Sequence, residues 1–306
     1  MASYNPFARR ESHDRYTLGS YRVLVPLSWL LVVVAGLYYT VNAPHDPKHD
    51  RYGDLLVTIS SILLFIFSHI WHSVYRPAPD PANTTHSFPS RIFLLLSQLS
   101  YVYHLFHRDA AIVTATANVG THFILNNLFV FAWILLWTRN HFWGSEIILI
   151  VHFINQHVAY WRHRNLPRLV HLAAVAGPFA WTLMALFWNG AVAVKSNSLP
   201  ARITANVFIW VIFVIGASHI VTAQDDMLGY SLSFLTLALA LKQIAVKTIA
   251  LQWIFAFVIF AVFLVSSLYV SSTRRTGRNI LFRKIGQTEF TDREREPLLN
   301  EPTPTA

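Results

Sequence analysis

The chain has no cysteine among its 306 residues. That excludes disulfides, thiolate metal sites, cysteine nucleophiles and palmitoyl anchors, and leaves the redox compartment undetermined. Charge is also scarce: 13% of residues are charged, against about 25% in soluble globular chains, too few to cover a water-exposed surface. Complete catalytic signatures are missing as well. No Gly-x-Ser-x-Gly elbow, phosphate loop or His-Glu-x-x-His run occurs, so no catalytic residue, metal or cofactor is assigned.

What is present is apolar. Hydrophobic residues make up 54% of the chain and the mean hydropathy is +0.41. They arrive in blocks of the length that crosses a hydrocarbon core of about 30 Å: Tyr21–Val41, Gly53–Tyr75, Ile112–Trp137, Trp143–Trp161, Leu169–Trp188, Ile203–Val221, Leu228–Val246 and Ile249–Val270. Tyr21, Tyr75, Trp137, Trp143, Trp161 and Trp188 stand at block edges, where amphipathic rings sit at headgroup level. The first block is too long, and too poorly followed by a cleavage site, for a signal peptide. A further block, Ile92–Phe106, reaches only about 23 Å as a helix and reads as interfacial or re-entrant. The expected fold is therefore all-α, a polytopic transmembrane bundle of about eight spans plus one short apolar helix.

Charge decides between eight and nine spans. With eight, both termini share a side that carries seventeen Lys and Arg residues, including Arg162, Arg164, Arg168 and the basic tail, against seven opposite. That side is the cytosol by the positive-inside bias. The net charge of +9 then reflects this bias and attraction to anionic lipid, not nucleic-acid binding. Residues 1–20 are a cytosolic N-terminal segment, 21–270 the transmembrane domain, and 271–306 a polar cytosolic tail too poor in large apolar residues to bury a core. The sequon at Asn83 falls on the cytosolic side and is expected to stay unused. Lys242 and Lys247, near the end of the seventh span, are expected to snorkel to the interface.

Polar residues inside spans are the first functional candidates, because hydrocarbon offers them no partner. Thr114, Asn118, His122 and Asn126 recur every fourth residue along one span, a ridge on one helix face. His152 and Gln156 form an i,i+4 pair on the next. These six make a candidate intramembrane polar path, and they equally suit hydrogen bonding between packed helices. Glu146 lies about 16 Å along the axis from His157, so the two cannot share a site. His69 with His72 and His104 with His107 are i,i+3 pairs, but zinc or iron wants three or four ligands, and facing axial histidines for haem are not readable from sequence. Pro178 lacks the amide that would bond Ala174 and should kink its helix. Small residues around it, such as Ala173 with Gly177, invite close helix approach. Asn189 and Gly190 read as that helix's end. In the tail, Glu294 followed by Leu298 and Leu299 resembles the acidic dileucine signal read by clathrin adaptors, which implies sorting to vacuolar or late Golgi membranes.

Three stretches resemble a family of fungal multi-pass membrane proteins of unknown function. They are Asn5-Pro-Phe-Ala-Arg-Arg with Tyr21-Arg-Val-Leu-Val-Pro-Leu-Ser-Trp-Leu-Leu; Asn118-Val-Gly-Thr-His-Phe-Ile-Leu-Asn-Asn-Leu; and Arg162-His with Gly177-Pro-Phe-Ala-Trp-Thr-Leu-Met-Ala-Leu-Phe-Trp-Asn-Gly. The resemblance covers Asn5 to about Val270. It implies a fungal source and a helical bundle, and it implies no reaction. Three functions stay open: a transporter-like protein for a small polar solute or lipid; a non-catalytic membrane organiser or sorting protein; and a lipid-directed enzyme with His122 or His152 as base. The bilayer is the expected partner, with a clathrin adaptor at the tail; the oligomeric state is not legible.

Overall fold

The computed structural model describes residues 6–41, 98–164, 166–194, 199–245 and 252–276. The expected span Gly53–Tyr75, the pair His69 and His72, Asn83, the first part of Ile92–Phe106, Lys247, and the tail with Glu294, Leu298 and Leu299 lie outside them. The described residues are all-α: α1 (Arg15–Val41), α2 (Ala110–Ala117), α3 (Gly120–Thr138), α4 (Phe142–Arg162), α5 (Arg168–His171), a π-helical turn (Leu172–Ala176), α6 (Gly177–Val194), α7 (Leu199–Ala223), α8 (Asp226–Ala245) and α9 (Gln252–Thr276). Four stretches are long and apolar enough to cross a membrane: Arg15–Tyr39, Gly120–Thr138, Arg168–Val194 and Trp253–Arg274. Val207–Ala223 and Asp226–Leu241 are shorter apolar stretches.

Side-chain contacts fix the directions of the long helices. Tyr21 bonds Thr121 and Ser28 bonds Asn127, so α1 runs parallel to α3. His122 meets Asn155 while Asn126 meets His152, so α4 returns antiparallel. Thr182 near His152 and Asn189 on Glu146 set α6 antiparallel to α4. Phe179 against His219 and Phe187 against Phe208 reverse α7, and Arg274 on Asp226 closes the α8 and α9 hairpin. One end of the bundle, here called proximal, gathers the starts of α1, α3, α5 and α8 and the ends of α4, α7 and α9. The other end is distal.

Sequence explains the tight joints. Asn140 and Gln224 turn the chain at positive φ, 62° and 52°, between α3 and α4 and between α7 and α8. Asn tolerates that region better than most residues. Asp225 then caps α8, its Oδ1 accepting the amides of Met227 and Leu228 at 3.0 and 3.2 Å, which satisfies donors that a helix start leaves open. Gly216 and Gly229 let α7, α8 and α9 close: an added Cβ at Gly216 would meet Leu232 and Phe263 at 2.6 and 2.7 Å, and one at Gly229 would overlap Ser267.

Two local expectations are corrected, and the joint at Pro178 takes a form of its own. The single span over Ile112–Trp137 is broken at Asn118 and Val119. Asn118 is occupied by the N-terminal segment, accepting Arg10 N–H at 2.9 Å and donating to Arg10 O at 2.9 Å, and the Tyr21 ring presses against Gly120. The helix after Leu169 does not meet Pro178 with a regular α turn. Its preceding turn widens instead to a π turn, in which the Gly177 amide bonds Leu172 O and the proline no longer needs the usual i−4 carbonyl geometry. Nor does α6 end at Asn189 and Gly190. It runs on to Val194 because the Asn189 side chain turns sideways to α4, donating to Phe142 O and Glu146 Oε2.

The described part of the short apolar block, helical over 98–104, packs at the proximal end. Tyr101 and Leu105 are fully buried, Tyr101 stacks on Phe123 with centroids 4.1 Å apart and donates to Thr116 O at 2.9 Å. Arg22 Nε donates to Leu105 O at 3.1 Å.

Candidate functional site

Two polar constellations form inside this frame. The first lies at mid-height between α1, α3, α4 and α6. Its hub is Asn126 Oδ1, which accepts from His152 Nε2 at 2.8 Å and from Gln156 Nε2 at 2.9 Å. Because that oxygen is only an acceptor, His152 must carry its proton on Nε2. Asn126 Nδ2 donates to Asn127 Oδ1 at 3.1 Å, and Asn127 Nδ2 donates to Ser28 Oγ at 3.2 Å. Thr182 Oγ1 stands 3.4 Å from the His152 ring and donates to Pro178 O at 2.7 Å. Asn126, Asn127, His152, Gln156 and Thr182 are all buried. One acceptor is left over: Gln156 Oε1 is buried with no partner among the described residues.

Of the six residues singled out in sequence, the structure thus brings Asn126, His152 and Gln156 together. His122 stands beside them, bonded to Asn155 Oδ1 at 2.8 Å, with its ring 5.6 Å from that of His163. Asn118 belongs to the proximal tie with Arg10, where His13 Nε2 also reaches its Oδ1 at 3.1 Å. Thr114 is half-buried on α2, beyond the break. The histidines pair across helices in an order the sequence did not disclose, His122 with His163 and His157 with His219. Among the described residues no three of His, Asp and Glu converge to hold a metal.

The second constellation closes the proximal end and was not singled out in sequence. Asp226, fully buried, is held by Arg168 Nη2 at 2.5 Å and Arg274 Nη1 at 2.9 Å, and Arg274 Nη2 also donates to Gln224 O at 3.0 Å. Asp225 Oδ2 accepts from His171 Nε2 at 2.7 Å and from the Tyr160 hydroxyl at 3.0 Å. Burial would raise the Asp225 carboxyl, but the bonds from His171, the Leu228 amide and Tyr160 outweigh it and hold the group below its usual range. His163, just past α4, is shifted down to about 4, by burial first and then by the neighbouring His122, Arg162 and Arg9. The signal for this cluster was there: between Asp109 and Glu289 the chain has only three acids, Glu146, Asp225 and Asp226.

All three of those acids are used. Glu146 takes Asn189 Nδ2 at 2.7 Å, while Asn189 Oδ1 accepts from Ser145 at 2.8 Å and Trp133 at 3.3 Å. This joint sits in a distal cage of Trp133, Trp137, Phe142 and Trp188.

Residues 202–299 match the family described as Fungal protein of unknown function (DUF1774). The matched stretch begins inside α7, takes in α8, α9 and the two acids, and continues into the tail. The three motifs quoted from sequence lie outside it, between Asn5 and Gly190, so the similarity to that family rests on the C-terminal third. No curated protein and no solved structure matches the chain. The described residues include several candidate membrane helices, and the description of the matching family names no activity.

Proposed function

We propose that the chain is an eight-span membrane protein that works as a transporter-like carrier for a small uncharged polar solute or a lipid, with the Asn126 network as its intramembrane site. In this reading 21–270 is the membrane domain, 92–106 lies at the interface, and 1–20 and 271–306 face the cytosol. The alternating helix directions support it, as does the gathering of Arg10, Arg22, Arg162, Arg164, Arg168 and Arg274 at one end with Arg139 at the other.

One observation carries the choice of site. Gln156 Oε1 is a buried acceptor with no donor among the described residues, which costs about 1 to 3 kcal/mol when left unmet, and a solute hydroxyl or amide would meet it. Beside it, the π turn and Pro178 give α6 a second available hydrogen-bond register, and π turns recur at functional positions. Neutral amides and an imidazole suit an uncharged solute; the network offers no fixed charge to an ion.

The test pairs melting temperature in detergent with complementation of a deletion strain. Gln156→Leu removes the unmet acceptor and should leave stability unchanged or raised. Lost complementation with abundant, monodisperse protein supports the pathway. Full complementation, or loss only in proportion to folded protein, rejects it.

A second reading, a non-catalytic organiser, is favoured by the burial of the whole network, since bonded Asn and His also join helices in membranes at about 0.6 to 2 kcal/mol each. Its information would lie in the tail, where Glu294, Leu298 and Leu299 are proposed to engage a clathrin adaptor and sort the protein to vacuolar or late Golgi membranes. Replacing both leucines with Ala should relocate the protein without unfolding it. Unchanged localisation removes the sorting proposal, and glycan on Asn83 removes the eight-span topology.

A further inference from the structure

The proximal cluster surrounds a cleft of about 80 Å³, lined by Arg164, Arg168, His171, Arg274, Leu166 and Met227 among others. Its carboxylate acceptors are already spent. Asp225 takes two backbone amides on one oxygen, and His171 and Tyr160 on the other; Asp226 takes one guanidinium on each oxygen.

Its donors are not spent. A guanidinium has five N–H groups, and Arg168 and Arg274 commit only their inner edges to Asp226 and Gln224, remaining 52% and 50% exposed. Arg164 is exposed, stacked 3.9 Å over the Trp161 ring, and no carboxylate pairs with it among the described residues. Three guanidinium groups thus meet two carboxylates that are both consumed inward. The cleft presents surplus positive charge and surplus donors over a rigid base, which calls for a ligand that brings negative charge and several acceptor oxygens. A tetrahedral oxyanion has this chemistry, and arginine forks match its oxygens in pairs. The volume is a few times the share of one water in the liquid, about 30 Å³, enough for one such group.

We propose that this cleft binds a phosphate group, free or as the headgroup of an anionic lipid. The two sources share the same chemistry at the arginines. The lipid source adds a use for Leu166, Ala223 and Met227, the apolar part of the wall, and for Trp161, which stands at a helix end where headgroups lie. The site is separate from the Asn126 network and does not depend on the solute reading.

Arg164 is the residue to change, because it holds no buried acid and its loss leaves the Asp226 clamp intact. The full-length protein in detergent is titrated with inorganic phosphate and followed by thermal stability. In parallel, native mass spectrometry counts lipid retained from mixed micelles of phosphatidylcholine and phosphatidic acid. Stabilisation by phosphate without preference for phosphatidic acid assigns the free anion. Retention of phosphatidic acid over phosphatidylcholine assigns the headgroup. In either case Arg164→Gln should weaken binding about tenfold, close to 1.4 kcal/mol, and Arg164→Glu should abolish it, each with the ligand-free melting temperature unchanged. Arg162→Gln, at the same end but not lining the cleft, should bind like the parent. Neither arm responding, Arg164→Gln binding like the parent, or Arg162→Gln weakening it equally would overturn the proposal.

Discussion

The mid-height network and the proximal cluster solve the same problem with different chemistry. Both join helices that are distant in sequence, and both bury their polar atoms. The central one uses only neutral groups, Asn126, Asn127, His152, Gln156 and Thr182, whereas the proximal one uses two carboxylates, two guanidinium groups and a histidine. In the proposed membrane placement, depth explains the contrast. A charge at the centre of a hydrocarbon layer costs several kcal/mol, while at a helix end the outer edge of each guanidinium stays in water. Neutral networks can also tolerate an unmet atom, as Gln156 Oε1 shows; an unmatched buried charge is far more costly.

Breaking the two should therefore give unequal effects. Asp226→Ala leaves Arg168 and Arg274 facing each other without their shared anion. It should destabilise by about 3 to 5 kcal/mol, seen as a large fall in melting temperature and in folded yield. Asn126→Leu removes the central hub but strands only neutral groups. It should cost about 2 kcal/mol by the same measurement, and a loss equal to that of Asp226→Ala would erase the distinction drawn here.

Gly177→Ala tests whether the π turn beside the network is required, since an added Cβ would sit 2.7 Å from Leu172 O. A cost of about 1 to 3 kcal/mol is expected, with α6 otherwise retained by circular dichroism. The smallest effect is a slope. His163 is about 4 when folded and 6.5 when free, so the unfolded chain binds its proton first as pH falls. Its contribution is complete above pH 6.5 and is lost between about 6.5 and 4, at under about 1.4 kcal/mol per pH unit. Asp225, held low, adds its loss only below its free value of 3.8. Melting temperature against pH should therefore fall through the His163 window, and His163→Gln should make that part of the slope shallower.

The all-helical class, the apolar blocks and most helix limits were legible because they depend on composition and on local signals. Part of the mid-height network was legible too: Asn126, His152 and Gln156 stand out as polar residues on apolar helices. Thr114 and Asn118 show the limit of that logic. Spacing by four presumes one unbroken helix, and the break at Asn118 is made by Arg10, over a hundred residues away. Asn189 misled for the same reason, since its side chain answers to Glu146 on another helix and not to its own helix end.

Sequence alone determined that this chain must bury itself in helices, because so little charge cannot hold such an apolar surface in water. Tertiary structure decided which polar groups meet. Helix direction, the π turn and the close passage at Gly216 and Gly229 set those meetings. Whether Asn126 receives His152, or Asp226 receives Arg168 and Arg274, depends on the relative depth and rotation of whole helices, which packing fixes and local sequence does not encode.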